Sequence, residues 1–128
     1  MSESATFPAS PASPRAARRF VRAVLPAAPD AEFTDTVLLL VTELVTNAIV
    51  HARSPVRVSV AVDDSRLRVA VYDYAPQPPI RRPPSEEALN GRGLLLVERL
   101  SDRWGFDAGP SGKCVWFEIG TEPAAGHL

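Results

Sequence analysis

Several things are nearly missing from this 128-residue chain, and each absence closes a class of explanation. There is one cysteine, Cys114, so no internal disulfide can form. That cysteine and two histidines, His51 and His127, make no cluster of the kind that holds zinc. Lysine is almost absent: Lys113 stands against thirteen arginines, the mark of a GC-rich coding sequence with no mechanistic content. Excess charge of either sign is missing too. Fourteen basic and 15 acidic residues leave a net charge of −1, unlike the basic surplus of a dedicated nucleic-acid binder. No uninterrupted apolar run approaches the ~18 residues of a membrane span. The opening M-S-E-S-A-T-F-P has neither the basic start nor the apolar stretch of a signal peptide. There is no G-x-x-x-x-G-K-[ST] phosphate loop, and no G-x-G-x-x-G follows an opening strand. The expectation is a cytoplasmic protein with no direct nucleic-acid or membrane partner. At 45% apolar residues, a chain of this length forms one domain that buries roughly two-thirds of its unfolded surface.

What is present falls into segments. Pro8, Pro11 and Pro14 argue against a regular helix over residues 1–14, which read as a flexible tail or, through Thr6 and Phe7, a short edge strand. From 15 to 25, Phe20, Val21, Val24 and Leu25 share one helical face, and Arg15, Arg18, Arg19 and Arg22 largely share another. That cationic face is either a solvated surface or a contact for phosphates or an acidic partner. A second helix is expected over 30–52, opened by Asp30 as N-cap, with a dense apolar set from Val37 to Ile49 that makes it central to the core. The period then changes to two. Val56, Val58, Val60 and Val62, a turn at Asp63-Asp64-Ser65, and Leu67, Val69 and Val71 spell a hairpin. Residues 74–90 hold five prolines and read as a long loop, a candidate lid. A helix over 91–100 and strands at 103–108 and 113–119 complete a domain over 15–120, and 121–128 form a second tail. The fold class expected is an α/β (α+β) two-layer sandwich, its sheet mixed but largely antiparallel, with helices packed on one face.

Three features carry possible chemistry. In E-L-V-T-N-A-I-V-H, Glu43, Asn47 and His51 recur every fourth residue. At ~100° per residue each step drifts only about 40°, so the three lie on one stripe at the edge of the apolar face. A solvated stripe on an amphipathic helix gives the same spacing. Asp73 ends an apolar strand, either to begin a turn or as a buried carboxylate that accepts from a ligand's amine. Gly91 and Gly93 flank Arg92 at a helix start, where backbone N–H groups attract phosphate and glycine permits close approach. An ordinary helix start would use the same residues.

The order of these features, followed by G-K-C-V-W-F-E-I as the last strand, resembles the ATP-binding domain shared by gyrase, Hsp90 chaperones, histidine kinases and MutL. Within it the chain resembles the short anti-sigma-factor serine kinases and their stand-alone actinobacterial versions, over roughly residues 15–119. The resemblance implies ATP and Mg²⁺ as cofactors. It makes Glu43 the carboxylate that orients or activates the attacking group, and Asn47 the amide whose oxygen ligates Mg²⁺. It puts His51 near phosphate or ribose, Asp73 against the adenine amine, and Gly91, Arg92 and Gly93 around the phosphates. Where that family often has D-x-G-x-G, this chain reads Asp73-Tyr74-Ala75-Pro76; where it often has G-x-T or G-x-S, it reads Gly112-Lys113-Cys114. Lys113 is expected to be solvated, and Cys114 to be a small core residue in place of a hydroxyl near adenine.

The activity so implied is that of an ATP-dependent serine/threonine protein kinase, which binds a sigma factor and phosphorylates that factor's antagonist. A homodimer is possible in such a family. The alternative is a nucleotide-binding module that sequesters a partner without phosphoryl transfer; the Glu43–Asn47 pair, which such a module need not keep, favours the kinase. A histidine kinase fragment is disfavoured because no upstream dimerisation segment carries a phospho-acceptor histidine, and DNA binding has only the Arg15–Arg22 face behind it.

Overall fold

A computed structural model describes residues 1–25, 31–63, 65–74 and 92–121. Five strands form one open sheet in the order β1-β2-β3-β5-β4. They are β1 (Ser2–Phe7), β2 (Val56–Val62), β3 (Arg66–Asp73), β4 (Arg103–Gly109) and β5 (Gly112–Gly120). All four pairings are antiparallel, so the mixed character expected of the sheet is absent among the described residues. The reason is local. Hairpins join β2 to β3 and β4 to β5, and antiparallel neighbours need only a tight turn. The first turn is closed by Asp63, whose Oδ1 accepts from the N–H groups of Ser65 and Arg66, both at 2.9 Å.

The edge strand is longer than two residues. Residues 2–7 pair in register with 56–61. Ser10 and Ser13 then turn the chain into helix α1 (Ser13–Val24), with the Ser13 hydroxyl donating to the Pro8 carbonyl at 2.6 Å. The helix therefore starts before Pro14, not after it; proline is tolerated in the first turn, where its missing N–H has no partner to lose. Ala17 and Val21 are buried, and Phe20 meets Phe7 of β1 edge-to-face at 6.0 Å.

The second helix, α2 (Ala31–Asn47), runs into a π-helical turn at Ala48–Ala52. Arg53 closes that turn in the left-handed region (φ 53°), its N–H bonded to the Ala48 carbonyl. Asp30, the expected N-cap, lies outside the described residues, as do 75–91 with the candidate lid and 122–128. By length and composition the stretch Ala31–Ala52 is apolar enough to cross a membrane. Here, however, Val37, Leu40, Val41, Leu44, Val45 and Ala48 are buried against Val56, Val58, Val60, Val69 and Phe117 of the sheet. That contact is the core, and it makes α2 the main helical layer. The third helix, α3 (Arg92–Leu100), adds Val97 to the same cluster.

The other face of the sheet carries no helix among the described residues. It is held by charge and aromatics. Glu118, 8% exposed, accepts from Arg66 at 3.0 Å and Arg68 at 3.1 Å, and Arg103 stands 3.7 Å away. The Arg68 guanidinium also stacks over Trp116 at 4.0 Å, and Arg57 over Tyr72 at 4.1 Å. Gly105 leaves room for Trp116, because a Cβ there would collide with the indole.

Candidate functional site

The three sequence features converge at one end of the sandwich. The register sets Asp73, last residue of β3, opposite Val56, first residue of β2. Just upstream, buried Ser54 ties β3 to the end of the π-helical turn: its hydroxyl accepts from the Tyr74 N–H at 3.0 Å and donates to the Pro55 carbonyl at 2.8 Å. The C-terminal end of the long helix and the C-terminal end of β3 are thus fastened together. Nothing in the sequence pattern marks Ser54 for this role.

Asn47 sits where the α-helix gives way to the π-helical turn, and it is 7% exposed. Such turns often occur at functional sites. Gly93, in the first turn of α3, lies directly on it: a Cβ on Gly93 would strike Asn47 Nδ2, with Leu44 Cδ2 at 3.9 Å. Asn47 and the glycine motif, 46 positions apart in the sequence, are therefore in contact. Glu43 lies one turn before Asn47. Along the stripe Glu43 is half-buried, Asn47 buried and His51 exposed. Arg92 opens α3, and Gly91 lies outside the described residues.

Asp73 is buried, 3% exposed, and does not begin a solvated turn. Its cross-strand partner is Lys113, whose Nζ stands 3.5 Å from Asp73 Oδ2. The Lys113 side chain is only 10% exposed, so the solvated lysine expected is corrected: it is folded inward as a counter-ion. Burying an ammonium is costly unless it is paired, and Asp73 supplies the pair. The signal was in the alternation. Lys113 has the parity of Val115 and Phe117, which are core residues. Cys114 has the opposite parity. It faces Tyr72 and Asp107 across its neighbouring strands, half-buried on the open face, and is not a core residue. Burial, with Asp107 nearby, pushes its thiol above the usual range, so it is not a thiolate at neutral pH.

Between these strands Gly112 adopts φ +130°, and a Cβ there would collide with the Asp73 carbonyl oxygen. Only glycine fits that backbone at that distance. A cavity of about 360 Å³, lined by residues 72–74 and 107–114, adjoins this corner.

The donor set fits a magnesium nucleotide. Asn47 and Glu43 supply hard oxygen donors on one helical stripe, and Mg²⁺ takes oxygen ligands while keeping several waters. Among the described residues no three His, Cys, Asp or Glu converge on a point. Asp73 supplies a buried acceptor, and Gly93 a close backbone approach.

The sequence matches the family profile described as histidine kinase-like ATPase domain over residues 7–119. No curated protein matches it. Among solved structures the chain is similar to that of the RsbU and RsbW domains of Rv1364c from Mycobacterium tuberculosis, with a TM-score of 0.74 and 21% identity, covering 97% of this chain and 34% of that one. The chain thus spans about a third of that chain's length, and at this identity the likeness is one of fold.

Proposed function

Since the chain belongs to the histidine kinase-like ATPase family, and so to a family of ATP-binding domains, we propose that it is an ATP- and Mg²⁺-dependent protein serine/threonine kinase of the anti-sigma-factor type, which binds a sigma factor and phosphorylates that factor's protein antagonist. The observation that supports this best is the contact of Gly93 with Asn47 beside the half-buried Glu43. Phosphoryl transfer asks little covalent chemistry of a protein; it asks for positioning and for stabilisation of charge. Asp73 accepts the hydrogen bond of the adenine amine and so orients the base. The Asn47 amide oxygen holds the metal, which when bound neutralises charge on the phosphate chain. The backbone from Gly91 to Gly93, with the helix start that follows, receives the phosphates. Glu43 orients the substrate hydroxyl and accepts its proton. His51, being exposed, has at most a peripheral part, at phosphate or ribose.

The test mixes the protein with labelled ATP and candidate partner proteins encoded near it. Serine or threonine phosphorylation of a partner is expected. Glu43→Ala should retain ATP affinity and lose transfer by about 10²–10⁴-fold, as removal of a general base does. Asn47→Ala should lose the Mg²⁺ dependence of ATP binding, read by calorimetry. Tight partner binding with no transfer to any partner, unchanged by Glu43→Ala, would overturn the kinase and leave a sequestering module.

A further inference from the structure

At the edge of the proposed base site an ammonium stands where a ligand would bring an amine. Asp73 and Lys113 are opposed across β3 and β5. Lys113 Nζ lies 3.5 Å from Asp73 Oδ2, and the Asp73 side chain has no exposed surface. Lysine carries a flexible four-carbon stem and a strongly hydrated head, and from near the start of a strand, as in β5, it would ordinarily reach water. Here it turns inward, on the face whose next members, Val115 and Phe117, are core residues. Resting on the nucleotide reading above, we infer that Lys113 is a specificity-determining residue of the base site: its ammonium is an internal competitor for the Asp73 carboxylate, and a ligand reaches that carboxylate only by offering a donor in its place.

The consequence is selective. An exocyclic amine such as that of adenine donates to Asp73 and replaces the ammonium. A carbonyl oxygen at the same position, as in guanine, is an acceptor facing an acceptor and cannot make the exchange. The displaced lysine has somewhere to go, because the cavity of about 360 Å³ that adjoins both residues opens to water. Binding thus exchanges the Lys113–Asp73 ion pair at 3.5 Å for a hydrogen bond from the ligand to the carboxylate, and the site gives up affinity in return for excluding ligands that lack the amine.

Calorimetric titration with ATP and with GTP, together with thermal melts with and without ATP, reads this exchange without reference to catalysis. Lys113→Met should melt lower than the parent when free, because Asp73 loses its counter-charge. It should nevertheless bind ATP roughly tenfold more tightly, gain more melting temperature from ATP than the parent does, and bind GTP no better. Lys113→Arg, which keeps a cation, should bind ATP as the parent does. A Met variant that binds ATP no more tightly, while Asp73→Asn binds it more weakly, overturns the competitor role and leaves the base site standing. ATP affinity indifferent to Asp73→Asn overturns the base site and this inference with it. If Lys113→Met does not fold, Lys113→Gln keeps a neutral donor beside Asp73 and reads the same exchange: several-fold tighter ATP supports it, and unchanged affinity overturns it.

Discussion

Gly93 and Glu118 are the residues whose surroundings make the clearest demands. Gly93 packs on the Asn47 side chain, and a methyl group there would occupy the place of the amide nitrogen. An amide can turn about its side-chain bonds, so Gly93→Ala should cost only about 1 kcal/mol of stability. The larger effect should be on the metal nucleotide, because the turned amide no longer presents its oxygen. Calorimetry should therefore show weaker Mg·ATP binding with ATP alone little changed; unaltered Mg·ATP affinity would separate Gly93 from the site. At Glu118 burial pushes the carboxyl up, but the hydrogen bonds from Arg66 and Arg68 and the charge of Arg103 outweigh it, and the net shift is downward. A folded-state pKa below the unfolded one contributes stability that is present above the unfolded value and is lost as pH falls through the folded value. Glu118→Gln should thus lower the melting temperature at neutral pH and flatten the acid side of the stability profile below the ordinary glutamate range near ~4.3. Parallel profiles for parent and variant would mean that the three arginines contribute nothing net.

Among the elements, α1 is built against its own stability. Arg15, Arg18, Arg19 and Arg22 stand at spacings of three and four, line one groove, and include no ion pair among the described residues. No acidic residue offsets them in the first turn. Each like-charge pair at such spacing costs roughly 0.2–0.5 kcal/mol. Arg19→Glu converts two repulsions, to Arg15 and Arg22, into attractions, and should raise stability by about 0.8–2 kcal/mol. The gain should shrink in high salt, because exposed charges are screened. Thermal melts at low and high ionic strength check this, and a variant no more stable at low salt would show that the repulsion is already relieved. The long helix makes a different demand. Its hydrophobic periodicity was legible over 30–52, but its change to a π-helical turn after Asn47 was not. That change is followed by Arg53 in a left-handed backbone and by Ser54 holding Tyr74, and neither leaves a mark on apolar spacing.

For the whole molecule, the sheet has one edge sealed by the N-terminal strand. Residues 2–7 pair along β2, and the Val62 N–H continues the ladder to the Met1 carbonyl at 2.9 Å. Removing residues 1–7 would expose an unpaired edge with alternating valines and uncover Phe20. Such edges recruit other chains. The truncated protein should be less stable and should self-associate, which sedimentation velocity and chemical denaturation would read; a monodisperse truncation of full stability would make β1 dispensable.

The sequence by itself determined the hairpin over 56–73, the helices, the last two strands and the candidate residues Glu43, Asn47 and Asp73. Their signals are local: alternation of two, a period near 3.6, and polar residues placed at the ends of apolar runs. Tertiary structure alone decided what those ends meet. The antiparallel order β3-β5-β4 brought Lys113 to Asp73 and Glu118 to three arginines, and the packing of α3 set Gly93 on Asn47. Parity along β5 already pointed Lys113 inward, but not toward which partner. Register and helix docking are settled by the burial of one continuous apolar face, a property of all the elements together. A carboxylate is therefore visible in the sequence as a candidate, while the charge that neutralises it becomes visible only once the strands are paired.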